Sequence, residues 1–218
     1  MRTVLLEAAL LVLRRDGAAA LTVRALTEEA GCSTTGVYTY FGGKHGLVEA
    51  IFVDGFESFD RALAEPYRVG DLLEAGRAYR RWALANPMHY LVMFGRAVHD
   101  FVPSDTARER GSQSFQALVD AVAATGSDDA LSTAYRLYAT VHGYVMLELV
   151  GMSPLDPASL DELYEVGLAG CGLAPFHAAE PGEEIGRAHD VGEQNWDRAC
   201  RPRGLDGSDQ TTAARHRS

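Results

Sequence analysis

The chain has 218 residues, which is enough for one large domain or a small domain followed by a larger one, and enough to bury a core without disulfides. Its formal net charge is −10, which argues against a protein that binds nucleic acid over its whole surface. The acid is unevenly spread, because residues 1–50 carry five Lys or Arg and five Asp or Glu, whereas residues 51–175 carry nine against seventeen. The neutral N-terminal region therefore remains a candidate for DNA binding through local cations and amide dipoles.

The cysteines and the hydropathy pattern indicate the compartment. The three cysteines, Cys32, Cys171 and Cys200, lie far apart and suggest neither a disulfide framework nor a metal-ligand cluster. The sequence has no run of about 18 apolar residues, and its N-terminus lacks a signal-peptide pattern. We therefore expect a soluble, cytoplasmic protein that does not associate with membranes.

Two helices are predicted before residue 31. Residues 2–15 are good helix formers and apolar nearly all round, and Gly17 can end this helix. Its predicted inward stripe consists of Val4, Leu5, Ala8, Leu11 and Val12. Thr22 can cap a second helix over residues 23–30, and the residues of that helix that should face inward are Val23, Leu26 and Ala30.

A third, short helix is predicted over residues 34–41. Gly31 can supply the left-handed backbone that ends the second helix, and Ser33 can cap the third. Val37 and Phe41 lie four residues apart and should anchor the buried face. This phasing leaves outside a set of hydroxyl side chains that can reach phosphates and base edges, namely Thr34, Thr35, Tyr38 and Thr39.

A long fourth helix should connect this region to the rest of the chain. It begins at Lys44, although the helix dipole favours anions at a helix start. A lysine at this position makes sense if a phosphate lies close by. The helix should run to about Ala64 and end near Pro66, with an apolar stripe of Val48, Ile51, Phe52, Phe56 and Phe59. As a continuous element it is the obvious lever between the N-terminal helices and the body.

The body reads as five further helices. They are predicted over residues 70–85, 88–99, 105–124, 128–150 and 156–172, with Ser127 and Asp156 as caps of the last two. No strand-period run of useful length occurs, so the fold should be all-α with about nine helices. From residue 175 to 218 the apolar pattern collapses, which predicts a disordered tail.

Two stretches carry a family resemblance. Residues 21–47, LTVRALTEEAGCSTTGVYTYFGGKHGL, resemble the DNA-binding signature of the TetR family of bacterial transcriptional regulators. Residues 79–94 and 137–149 resemble the ligand-binding domain of a TetR subgroup named for a Trp-His-Gly signature. His142 and Gly143 match that signature, whereas Tyr138 stands at the Trp position.

The first resemblance implies how the chain would hold DNA. Thr22 and Ser33 would hold phosphates, and Arg24 would reach a guanine edge or a phosphate. Threonines would line the major groove, and two tyrosines would place hydroxyls on the DNA backbone. The full expected DNA-binding set is Thr22, Arg24, Ser33, Thr34, Thr35, Gly36, Tyr38, Thr39, Tyr40 and Lys44. Gly36 departs from the residues common there, and allows either a closer backbone approach to DNA or a looser helix.

The aromatic body offers a candidate effector pocket. A mostly apolar pocket with a few polar groups is predicted from Trp82, Tyr90, Met93, Phe94, Tyr138, His142 and Met146. Plain core packing explains each of these residues about as well. The composition favours a small hydrophobic or aromatic effector. The histidines lack metal-ligand spacing and no paired acid and base occurs, so we expect no metal, no cofactor and no enzymatic activity.

The combined expectation is a ligand-responsive transcriptional regulator, in this family most often a repressor. Residues 1–46 would form a helix-turn-helix head, residues 47–174 a ligand-binding and dimerisation domain, and residues 175–218 a tail. The resemblance implies a homodimer whose two heads read a palindromic double-stranded DNA operator, with the last two helices at the interface. The alternative is a dimeric helical ligand-binding or interaction protein whose head does not bind DNA, because the predicted recognition helix carries no Lys or Arg.

Overall fold

Helices make up the regular structure of the computed structural model, which describes residues 1–95 and 97–171. Within these residues there are nine α-helices and a short 3₁₀ turn over Ala18–Ala20. The helices are α1 Arg2–Asp16, α2 Val23–Ala30, α3 Thr34–Phe41, α4 Lys44–Val69, α5 Leu72–Ala85, α6 Pro87–Met93, α7 Asp105–Ala124, α8 Ala130–Leu149 and α9 Pro157–Gly170. The all-α prediction is confirmed. The tail predicted for residues 175–218 lies outside the described residues.

The first three helices pack around a small apolar centre. Leu5, Leu26, Val37 and Leu47 have no exposed surface. The predicted stripe of α1 was partly wrong, because the side chains of Val4 and Leu11 are exposed, and the buried set is instead Leu5, Leu6, Ala8, Ala9, Val12 and Leu13. Since α1 is apolar nearly all round, its composition could not fix which face turns inward, and packing against α2 and α4 decides it.

Capping residues explain the boundaries of α2 and α3. Thr22 Oγ1 accepts a hydrogen bond from the backbone N–H of Ala25 at 3.1 Å, and Gly31 adopts the left-handed conformation with φ 62°. Ser33 stands at the start of α3, but its side chain makes no capping hydrogen bond. The predicted side-chain cap was therefore wrong, and the backbone carbonyl of Ser33 instead accepts from Gly36 N–H at 3.1 Å.

The fourth helix is longer than predicted. It continues through Pro66 to Val69 and ends at Gly70, which has φ 72°. A proline inside a helix removes one backbone hydrogen bond from the preceding turn. Pro66 is buried, and its packing offsets that loss. The next helix begins at Leu72, two residues later than predicted, because the Asp71 side chain caps it by accepting from Glu74 N–H at 2.9 Å.

The remaining boundaries include one clear error. Helix α6 ends at Met93, not near residue 99, and the backbone N–H groups of Gly95 and Ala97 both donate to the Leu91 carbonyl in the turn that follows. The bounds of α7 match the prediction. Helix α8 is capped by Asp129, not by Ser127, and Asp156 caps α9 as expected.

Helix α4 lies at the centre of the described body. It packs against α5, α6 and α7, while α8 contacts α5 and α7, and α9 contacts α5 and α8. The core between them is rich in aromatic rings, for example Phe59, whose ring meets those of Tyr79 and Trp82 at centroid distances of 5.0 and 5.1 Å. None of the helices in the described residues has the length and apolar character that a membrane crossing requires. One helix therefore joins the N-terminal helices to the aromatic body.

Candidate nucleic-acid interface and effector cavity

Helix α3 presents a hydroxyl-bearing face to solvent. Its buried anchor is Val37, and Phe41 is half-buried, as predicted. Tyr38 and Tyr40 are 59% and 49% exposed, and Thr34, Thr35 and Thr39 are exposed as well. An exposed tyrosine ring lacks the burial that packing would give it, so these side chains are free to contact a partner. The face can donate and accept hydrogen bonds but carries no formal charge.

Cations flank this face. The Arg24 side chain on α2 is exposed, and its guanidinium pairs with the Glu28 carboxylate at 2.8 Å. The Lys44 ammonium, at the first residue of α4, donates to the Ala18 carbonyl at 3.5 Å. Arg2 was missed in the sequence, and its guanidinium lies 5.6 Å from the centre of the Phe41 ring at the end of α3. Only contact between α1 and α3, which is tertiary, brings this residue near the recognition helix.

Gly36 is the one predicted DNA-binding residue of α3 that lies toward the interior. It is half-buried, and a Cβ placed on it would lie 4.0 Å from both the Cys32 Sγ and a Leu5 methyl carbon. Its side-chain direction therefore faces the neighbouring helix α1. Ser33 is exposed and has a free hydroxyl, whereas the Thr22 oxygen already accepts from the backbone of α2 and keeps its O–H available to donate.

A cavity of about 700 Å³ lies among α4, α5, α7 and α8. Its aromatic lining consists of Phe52, Phe56, Phe59, Tyr67, Tyr79, Phe94, Phe115, Tyr135 and Tyr138. Its polar and charged lining consists of Arg108, Ser112, Ser114 and Gln116. This size and apolar character are typical of a small-molecule site. Residues of α4 and α7 contribute much of the wall. In the sequence, the signal for this wall is the apolar stripe of α4, of which Phe52, Phe56 and Phe59 line the cavity.

Two of the seven predicted effector residues, Phe94 and Tyr138, line this cavity. The other five do not line it, namely Trp82, Tyr90, Met93, His142 and Met146. Trp82 is buried and donates from Nε1 to Ser58 Oγ at 3.2 Å, so its polar atom is already hydrogen-bonded within the core. Met93 packs on α4, where a Cβ added to Gly55 would lie 2.6 Å from its sulfur. Of the seven predicted residues, only Phe94 and Tyr138 therefore lie where they could contact a ligand in this cavity.

Tyr79, Tyr90 and His142 form a hydrogen-bonded layer beneath the cavity. The two hydroxyls lie 2.8 Å apart, and the Tyr90 hydroxyl lies 2.7 Å from His142 Nδ1. Both hydroxyl donors are satisfied if Tyr79 donates to Tyr90 and Tyr90 donates to Nδ1 of the tautomer that carries its proton on Nε2. Burial lowers the pKa of His142 and raises the pKa of both tyrosines, which keeps all three groups neutral. The His142 ring also stacks on Tyr138, with centroids 5.4 Å apart, so the layer adjoins the cavity wall.

The charged groups near the cavity are already paired. Asp60 accepts from the Ser114 hydroxyl at 2.6 Å and from the Arg110 guanidinium. Arg108 donates to the Asp105 carboxylate and to the Pro103 carbonyl. Burial, and secondarily the nearby Asp60 charge, raises the pKa of Tyr67, so its hydroxyl stays protonated. The cavity is thus a neutral, aromatic space with hydroxyl groups in its wall.

The last two helices leave an apolar face uncovered in the single chain. Leu147, Val150, Leu163 and Val166 are exposed, and so are the small residues Ala139, Ala169 and Gly170. Ala134, another small residue of α8, is fully buried within the chain and does not belong to this face. Exposed apolar residues that cluster on two adjacent helices are typical of a protein–protein contact.

Comparison with known proteins gives two family matches. Residues 5–51 match the model described as bacterial regulatory proteins, tetR family, and residues 72–170 match the model described as tetracyclin repressor-like, C-terminal domain. Together the two stretches span about two thirds of the chain. The Trp-His-Gly subgroup remains a prediction.

Individual relatives agree with these matches. An HTH-type transcriptional regulator of Mycobacterium tuberculosis, Rv1816, is 29% identical over 117 residues. The alignment covers 50% of this chain and 50% of the relative, so the chain spans about half the length of the curated relatives it matches first. The solved structure of regulatory protein SCO4313 is 27% identical with a TM-score of 0.67, covering 78% of this chain and 95% of that one. Multidrug binding protein EbrR, complexed with imidazole, is 22% identical with a TM-score of 0.58 over 82% and 97%, and shows the shared fold alone.

Proposed function

The chain belongs to the TetR family of bacterial transcriptional regulators, and from this premise we propose that it binds operator DNA as a homodimer and releases it when a small molecule fills the cavity. The observation that carries the DNA-binding part is the exposed hydroxyl face of α3, held in place by the buried Val37. Threonine and tyrosine hydroxyls hydrogen-bond to base edges and phosphates, and threonine methyls pack on thymine.

Cations beside α3 would supply the attraction to phosphate. Arg24, Lys44 and Arg2 lie on the first turn of α2, the first turn of α4 and the start of α1. Because α3 itself carries no Lys or Arg, the number of phosphate contacts is small and the dependence of affinity on salt is modest. Sequence discrimination would rest on hydroxyls, methyl contacts and DNA shape.

Dimerisation would correct the weakness of a single short recognition helix. Two copies of α3 on a two-fold axis read half-sites about 34 Å apart, one turn of DNA. The uncovered apolar face on α8 and α9 supports an interface made by the same surface of both subunits. Val166 and Leu163 are the largest apolar side chains that α9 contributes to it.

Helix α4 would carry the signal from cavity to DNA. It begins with Lys44 beside the recognition helix, and its later residues Phe52 to Tyr67 line the cavity. A helix of this length spans about 39 Å at the standard rise, so a small tilt at one end is a larger displacement at the other. The effector would release DNA only if it binds the DNA-incompetent arrangement more tightly, and a difference of about 1–3 kcal/mol is typical.

Fluorescence anisotropy with the double-stranded DNA upstream of the chain's own gene tests the proposal. Wild type should bind with an affinity that falls as salt rises, and Lys44→Ala should bind more weakly with a slope reduced by about one. Arg68→Ala is the matched control, because Arg68 is exposed at the far end of α4 and pairs with Glu65. If wild type and Lys44→Ala bind equally weakly without a salt slope, the regulator does not act through this head.

The alternative is a dimeric ligand-binding or interaction protein whose head does not bind DNA. The zero net charge of residues 1–50 and the absence of Lys and Arg from α3 favour it. It predicts a dimer and a filled cavity together with no saturable DNA binding at any salt concentration. The same anisotropy series therefore separates the two functions.

A further inference from the structure

The chemistry of the cavity wall narrows the class of effector. Nine aromatic residues line the cavity, and they come from four helices and the residue after α6. Flat rings stacked or set edge-on against such walls bury more surface than a flexible chain does, with less loss of conformational freedom. The cavity volume of about 700 Å³ accommodates a molecule of two to three fused or linked rings.

The distribution of charge disfavours strongly charged ligands, and cations above all. Arg108 is the one charged residue in the wall among the described residues, and Asp105 already neutralises it. The nearby carboxylate of Asp60 does not line the cavity, and its two oxygens are held by Ser114 and Arg110. A cation in the cavity would therefore lose its hydration without gaining a free counter-charge. Attraction to the ring faces returns only part of that loss.

Three tyrosine hydroxyls in the wall, those of Tyr67, Tyr135 and Tyr138, have no hydrogen-bond partner among the described residues. Tyr135 is 62% exposed, so its side chain lies largely in water, whereas Tyr67 and Tyr138 are half-buried. Tyr79 also lines the cavity, but its hydroxyl is bonded to Tyr90 and is not free. Burial raises the pKa of both Tyr67 and Tyr138, so each remains a neutral donor and acceptor. Each hydroxyl can exchange a hydrogen bond to water for one to a ligand oxygen, which gives a modest net gain in affinity.

We propose that the cavity selects an uncharged, planar aromatic compound with two or more oxygen atoms that hydrogen-bond to the Tyr67 and Tyr138 hydroxyls. This inference rests on the proposed effector role of the cavity. The two tyrosines lie on different helices, Tyr67 on α4 and Tyr138 on α8. A ligand that hydrogen-bonds to both therefore connects α4, which leads to the recognition helix, with α8, which carries part of the exposed apolar face. The aromatic rings give affinity, and the two hydroxyls give specificity for oxygen-bearing rings over plain hydrocarbons.

Isothermal titration of the full chain without DNA tests the proposal, so its result does not depend on whether the head binds DNA. The probes, titrated at slightly acid pH, are apigenin, a flavone with carbonyl and phenol oxygens that is uncharged there, and proflavine, a planar cation of similar size. Apigenin should bind saturably, and proflavine should bind at least about tenfold more weakly because its charge finds no partner. No saturable binding of apigenin up to about 100 µM, or tighter binding of proflavine, would overturn the proposal.

Tyr67→Phe and Tyr138→Phe identify the site. Each removes only the unpaired oxygen, so each variant should fold with unchanged or slightly raised thermal stability while apigenin binding weakens about three- to tenfold. Tyr144→Phe is the matched control, because Tyr144 is half-buried on α8 and does not line the cavity. Wild-type affinity in both cavity variants, or an equal loss in the control, would contradict the assignment. If apigenin binds as expected but wild type shows no DNA binding, the inference stands and the regulatory function fails.

Discussion

Replacing Tyr90 with phenylalanine removes one hydroxyl from the centre of the layer formed by Tyr79, Tyr90 and His142. Tyr90 has no exposed surface, and its oxygen lies 2.8 Å from the Tyr79 hydroxyl and 2.7 Å from His142 Nδ1. Its loss leaves two buried polar groups without their best partner, and each unsatisfied group costs about 1–3 kcal/mol. Tyr79 can recover part of this by donating directly to Nδ1, from which it is 3.4 Å away. The expected net loss is therefore about 1–3 kcal/mol.

The companion variant Tyr79→Phe should lose less stability than Tyr90→Phe. It leaves the short bond from Tyr90 to His142 intact, so the loss should be about 0.5–1.5 kcal/mol, smaller than that of Tyr90→Phe. Urea unfolding followed by circular dichroism gives both values, with an unchanged dependence on urea showing that the native fold is kept. Equal stability of Tyr90→Phe and wild type, or a larger loss in Tyr79→Phe, would refute the described hydrogen-bonded chain.

Three further predictions concern other parts of the molecule. Burial lowers the pKa of His142 in the folded chain, so the unfolded chain takes up this proton first as the pH falls. The unfolding free energy of wild type should therefore fall relative to that of His142→Gln below about pH 6.5. A difference between the two that stays constant with pH would contradict this. Gly36→Ala should raise the unfolding free energy by about 0.5–1 kcal/mol without weakening DNA binding, because the added Cβ lies 4.0 Å from its nearest neighbours. Thermal melts measure the stability and fluorescence anisotropy measures the affinity for DNA. A clear loss of affinity would place Gly36 at the DNA. Val166→Glu should convert a dimer to a monomer in sedimentation. Val102→Glu is the control, because Val102 is also 61% exposed but lies away from the α8–α9 face, and it should leave the dimer intact. If Val166→Glu remains a dimer, the interface lies elsewhere.

Local signals in the sequence predicted most of the helix boundaries. Thr22, Gly31 and Asp156 act through contacts within a few residues, so their roles follow from residue type and spacing. The errors occurred where packing decides between local alternatives. Pro66 remains inside α4 because it is buried, and α1 turns an unexpected face inward because nearly all of its faces are apolar.

Some features of the candidate sites could likewise be predicted from local sequence, and others depend on tertiary packing. The exposed residues of α3 follow from the burial of Val37 and the helical period, so their exposure could be predicted from the sequence. Their contact with DNA stays a prediction. An apolar pocket was predicted, but most of the lining of this cavity was not, because its wall combines rings of α4, α5, α7 and α8 that are distant in sequence. Tyr90 and His142 were predicted to line the effector pocket, but they do not line the cavity and are hydrogen-bonded to each other. Arg2 joined the candidate DNA interface only through its contact with Phe41.

Selection of DNA bound by the full chain from a random double-stranded pool tests the central claim most directly, because it needs no assumption about the operator. The account predicts an enriched inverted repeat whose half-site centres lie about 10 base pairs apart, or a multiple of that spacing, as two copies of α3 on a two-fold axis require. The enrichment should fall sharply when the selection is repeated with Lys44→Ala. A pool that remains random after repeated rounds, or one enriched only in single unpaired sites, would contradict a two-headed DNA-binding regulator.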